Sequence, residues 1–159
     1  MSAQTLSALA TIAIYAGLIG FVLYRQMRAQ PLRGRRLVLL PAVLGLFAFQ
    51  QLARQPLDGL GTAALLVLSL AVGAAAGLWR GTTFRLWDQQ GAVYVKGSRM
   101  TLVAWAALIA ARLPFAVVSY EAKLPQGLVI GELLLALAVT FAAQNAVVWM
   151  RAGRVAHPR

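Results

Sequence analysis

The chain has no cysteine, a single histidine and only four acidic residues among 159. Without cysteine there is no disulfide, no thiol redox chemistry, no thiolate-held zinc or iron–sulfur cluster and no covalent haem attachment. The lone histidine, His157, sits in the polar C-terminal tail. A two-histidine metal or haem site therefore cannot be assembled within one chain. No Ser–His–Asp arrangement, paired carboxylates or metal-ligand spacing is present, so the reading is of a non-enzyme without a cofactor. Charged residues make up only 12% of the chain, about half the share of an ordinary soluble domain.

What is abundant is apolar: 60% of the residues are hydrophobic, and the mean hydropathy is +0.73. Folded in water, such a chain would expose larger apolar patches than soluble monomers carry. The composition therefore predicts an integral membrane protein, with residues 1–159 forming one transmembrane domain. Fifteen Lys and Arg give a formal charge of +11. They stand between apolar runs and are not gathered on one face, which points to membrane topology and away from nucleic acid.

Five runs approach the roughly 20 residues that a helix needs to cross the hydrocarbon. They lie near 6–24, 37–53, 60–79, 101–120 and 128–150. The expected fold is an all-α bundle of about five transmembrane helices. The first run has no basic residue before it, so it reads as an uncleaved anchor. The second contains Pro41, Gln50 and Gln51 and is either re-entrant or a short, tilted span. Twelve of the basic residues fall in the first and third connections and the tail, whereas Arg54 and Lys123 fall on the opposite side. That asymmetry places the N-terminus outside and the C-terminus in the cytoplasm. Trp79, Trp87, Trp105 and Trp149 all lie near the inner interface, as an aromatic belt would.

The one sizeable polar segment is the cytoplasmic loop 80–100. Thr82–Trp87 and Ala92–Lys96 have strand-like composition and flank Asp88–Gly91, a plausible four-residue hairpin connection. Arg80, Arg85, Trp87, Lys96 and Arg99 are its candidate contact residues. The loop is either a basic, aromatic surface lying among headgroups or a binding element. The basic stretch from Pro31 to Arg36 also suits anionic lipid.

Arg112 stands near the middle of its run, where an arginine is costly unless it faces protein or water. Thr101, Trp105, Leu108, Arg112, Phe115 and Ser119 fall close to one line on a helix and mark an interior face. Glu132, on the next run, is its natural partner across a short connection. The pair either orients two helices or forms a polar site for an anionic ligand or a proton. Ser69, Gly73, Gly77 and Gly81 form a small-residue ridge, and Ala136, Thr140 and Ala143 continue the face of Glu132. Such faces pack either within the chain or against a second copy.

The stretch Gly77-Leu78-Trp79-Arg80-Gly81-Thr82-Thr83-Phe84-Arg85-Leu86-Trp87, followed by Gly91, Val93, Gly97, Thr101, Trp105 and Arg112, resembles the CcdC-like family of small bacterial multi-spanning membrane proteins. Size and layout agree over most of the chain, and the specific residues fall within 77–112. The resemblance implies a bacterial inner-membrane location and an association with cytochrome c biogenesis. Lacking cysteine and haem-ligating histidines, this chain is expected to serve there as an accessory, holding a membrane-protein partner or a second copy.

Overall fold

The computed structural model describes residues 26–55 and 59–156, with the isolated positions 20 and 24. Apart from Gly20 and Tyr24, the run near 6–24 lies outside the described residues. In chain order the elements are β1 (Gln30–Pro31), α1 (Gly34–Leu52), α2 (Leu60–Thr83), β2 (Arg85–Gln89), β3 (Ala92–Lys96), α3 (Arg99–Glu121) and α4 (Gln126–Ala156). Among the described residues, three of the four helices, α2, α3 and α4, are long and apolar enough to cross a membrane. Helix α1 carries a shorter apolar stretch, Leu37–Leu52. Set against the five runs of the sequence, three described helices meet the length and apolarity of a span.

The helices alternate in direction. Gly73, Gly77 and Gly81 of α2 meet, in turn, Ala136 and Thr140, then Ala143, then Gln144 and Val147 of α4. These two helices therefore run parallel. Gly34 lies against Trp149 and Gly131 against Leu52, so α1 runs antiparallel to α4. Arg112 meets Ser69 and Thr101 meets Thr83, which makes α3 antiparallel to α2. In consequence Arg33, Arg85, Lys96, Arg99, Arg151 and Arg154 share one end of the bundle, and Arg54 and Lys123 the other.

Small residues allow this packing. A Cβ on Gly73 would stand 3.0 Å from both the Ala136 carbonyl and Thr140 Oγ1, and one on Gly81 2.6 Å from Val147 Cβ. At Gly77 it would run into the Thr140 carbonyl. The ridge thus packs inside the chain, with Ser69, Gly73, Gly77, Arg80 and Gly81 buried. Pro41 within α1 cannot donate to the Leu37 carbonyl one turn earlier. Asn145 Nδ2 of α4 donates to that oxygen instead, at 2.6 Å, so one helix repairs the gap in another.

An all-α chain is corrected by a three-stranded sheet of order β1-β3-β2 at the basic end. Arg85 pairs with Lys96 and Gln89 with Ala92, leaving a two-residue turn, Gln90-Gly91, in place of the expected four. Both turn residues have positive φ, 56° and 81°, the geometry that matches the twist of a hairpin. The unforeseen strand is β1, where Gln30 pairs with Val95 and Pro31 with Tyr94. Proline is tolerated there because the strand is an edge. Helix α2 runs past the expected boundary at 79 to Thr83, and α4 past 150 to Ala156. Apolarity ends sooner than the helices do. Arg151 Nη1 lies 2.9, 2.9 and 3.0 Å from the carbonyls of Gly81, Thr82 and Phe84, satisfying acceptors that a helix C-terminus leaves open.

Gly77→Ala should lower stability by about 1–3 kcal/mol through overpacking against α4. Gly61→Ala, where nothing lies within 4 Å, should be neutral or slightly stabilising. Thermal unfolding of the two variants in detergent measures the difference.

Candidate functional site

Three helices bring Ser69, Arg112 and Glu132 together. Each stands well inside its helix, roughly 14 Å from the start of α2, 14 Å from the end of α3 and 9 Å from the start of α4. The ridge of α2 allows the close approach to α4, and Arg112 reaches in from the interior stripe of α3. Thr101, Leu108 and Ser119 of that stripe are buried, and Arg112 is half-buried. Arg112 Nη1 donates to Glu132 Oε1 at 2.7 Å and to Ser69 Oγ at 2.6 Å. Ser69 Oγ in turn donates to Glu132 Oε1. The Arg112 and Glu132 side chains keep only 14% and 11% of their exposure, so their charges are largely withdrawn from solvent. Phe115 adds an aromatic face, its ring centre 5.8 Å from the guanidinium carbon. Arg112 Nη2 is buried without a hydrogen-bond partner among the described residues.

Arg80 requires a correction. Placed by the sequence in the cytoplasmic loop, it belongs to the last turn of α2 and is 1% exposed. No carboxylate faces it among the described residues. Its guanidinium carbon lies 3.9 Å from the centre of the Trp105 ring and 5.2 Å from that of Phe141. The two rings meet edge to face, 68° apart with centres at 6.3 Å, so the guanidinium packs close over Trp105 with Phe141 to one side, and cation–π attraction is strongest where water is excluded. Nη2 donates to Gln26 Oε1 at 3.1 Å, whereas Nε and Nη1 find no partner among the described residues. Trp105 Nε1 donates to the same Gln26 oxygen at 2.9 Å, and the Gln26 carbonyl accepts from Gly97 at 2.9 Å. Trp105, placed by the sequence both near the inner interface and on the interior stripe of α3, lies half-buried against Arg80 and Gln26. Trp79 and Trp149 do point outward, at 43% and 59% exposure.

The remaining loop candidates lie apart from both clusters. Arg85, Trp87 and Lys96 are on the hairpin, and Arg99 is the first residue of α3. Trp87 stacks on Tyr94, with ring centres 5.9 Å apart. Gln50 and Gln51, the polar residues near the end of α1, are exposed. Ser69 had been read only as a small residue; its signal was its place on the ridge level with Arg112. Gln26 and Phe141 carry no sequence signal that sets them apart. No group of three or more metal-ligating side chains occurs among the described residues.

Removing Arg112 or Glu132 alone, as Arg112→Leu or Glu132→Leu, should cost about 3–5 kcal/mol by leaving a buried charge unpaired. The double substitution should be much milder, close to neutral. Arg80→Lys should cost about 0.5–2 kcal/mol, since an ammonium cannot stack flat on Trp105 as a guanidinium does. Denaturant unfolding in detergent reads all four variants.

Among known proteins, residues 8–157 match the family described as CcdC protein. No curated protein and no solved structure matches the chain. The match extends far beyond the 77–112 stretch that carries the sequence resemblance. The chain belongs to the CcdC protein family.

Proposed function

We propose that the chain is a non-catalytic, multi-pass protein of the bacterial cytoplasmic membrane that acts by holding a membrane partner, as an accessory to cytochrome c biogenesis. About five spans cross the bilayer, with the run near 6–24 and α1 joining α2, α3 and α4. The N-terminus lies outside and the C-terminus in the cytoplasm. The gathering of basic residues at one end of the bundle supports that orientation, because Lys and Arg are retained on the cytoplasmic side. The observation that carries the non-catalytic reading is the Ser69–Arg112–Glu132 cluster. Arg112 and Glu132 are engaged with each other and with Ser69, which ties α2, α3 and α4 together and commits the cluster's one acid to an ion pair.

A second reading, a small transporter or ligand-binding sensor, is favoured by one atom. Arg112 Nη2 is buried and unpartnered among the described residues, so it is available to an anion entering beside Glu132.

One experiment separates the two. The gene is deleted in its host, and membranes are stained for covalently bound haem. Wild type and the Arg112→Leu/Glu132→Leu double variant are then re-expressed at matched levels. The accessory role predicts loss of c-type cytochromes on deletion and rescue by both forms. Rescue by wild type alone, with a stable double variant, favours a ligand at Arg112. Unchanged staining on deletion removes the cytochrome c role.

A further inference from the structure

At the basic end, the hairpin, the end of α2 and the start of α3 enclose an open groove of about 980 Å³. Arg85, Lys96, Arg99 and Arg151 line it, and no acidic residue does among the described residues. Three features of the groove are unfavourable unless an anion is present. Arg85 and Lys96 are directly opposed across the β2–β3 ladder, and like charges in that position repel. Arg99 is the first residue of α3, where the helix dipole already presents positive potential. Neither Arg85, Lys96 nor Arg99 has an ion pair among the described residues, since Arg112–Glu132 is the one salt bridge found there. Asp88, the nearest acid in sequence, is turned to its own hairpin and accepts from Gly91 N at 3.2 Å.

We propose that this groove binds the phosphate of an anionic phospholipid. Arg151, whose Nη1 is held by three carbonyls at the end of α2, adds its charge to the groove lining. Arg85, Lys96 and Arg99 close on the headgroup from the hairpin and the α3 terminus. Trp87 and Met100 also line the groove and supply the apolar wall that a glycerol backbone needs. The start of α3 leaves Met100, Leu102 and Val103 exposed at 52%, 39% and 50%, a surface for acyl chains directly beside the cations. A soluble phosphate would make no use of it. The inference rests on the membrane-spanning reading and is independent of any role in cytochrome c biogenesis.

The test is native mass spectrometry of the full chain, purified in detergent and titrated with phosphatidylglycerol or phosphatidylcholine of matched acyl chains. Wild type should retain the anionic lipid at least about tenfold more strongly. At about fivefold per basic residue, the triple variant Arg85→Gln/Lys96→Gln/Arg99→Gln should lose about a hundredfold. The single variants Arg85→Gln and Lys96→Gln, both at exposed positions, should each lose about fivefold. A charge-matched control, Arg54→Gln/Lys123→Gln/Arg154→Gln, outside the groove and outside the Pro31–Arg36 stretch, should bind as wild type does. Equal retention of the two lipids overturns the proposal, as does equal loss in the control triple. Full displacement of the lipid by millimolar inorganic phosphate also overturns it, by making the groove a site for the soluble ion.

Discussion

The backbone contact between α2 and α4 is the constraint on which the rest of the interior depends. Gly73, Gly77 and Gly81 bring one helix within van der Waals reach of the other helix's carbonyls. At that separation a side chain as short as serine spans the gap, and Ser69 touches Glu132. Larger residues on the ridge would push the helices apart and leave the carboxylate to Arg112 alone. The same closeness brings Phe141 of α4 beside Arg80 of α2. Both polar clusters are consequences of a dry, glycine-mediated seam.

The two buried arginines are accommodated by different physics. Arg112 is compensated by a carboxylate and a hydroxyl, so its charge is neutralised on the spot. Arg80 keeps its charge and is accommodated by two aromatic rings and one amide oxygen. A guanidinium suits the second arrangement because it is flat and weakly hydrated, unlike an ammonium. Gln26 then acts as a tie. Through one side-chain oxygen and its own carbonyl it joins the segment before β1 to α2, α3 and the residue following β3.

The ends of the bundle are electrostatically unlike. One carries the sheet, the exposed cations and the arginine that closes the end of α2. The other carries Arg54, Lys123 and Glu121, with nearly balanced charge. The acid–base cluster lies nearer the balanced end, and Arg80 with its two rings lies nearer the basic one. Inside, one arginine is paired with a carboxylate and the other is met by aromatic rings and an amide oxygen; at the basic end Arg85, Lys96 and Arg99 have no ion pair among the described residues.

Composition and hydropathy alone determined that the chain is mainly helical and where the later helices lie, because burial in an apolar medium needs long uninterrupted runs. Spacing on one helix identified the interior stripe of α3, and the rarity of mid-run charge singled out Arg112 and Glu132. Periodicity does not reveal which helix faces which. Only the tertiary structure decided that the glycine ridge packs within the chain and that Ser69 joins the ion pair. It alone drew Arg80 inward as part of a longer α2, since a basic residue just past an apolar run reads the same whether it meets water or two aromatic rings. The strand at Gln30–Pro31 was equally illegible: two residues carry no pattern, and their pairing depends on a partner more than sixty positions away.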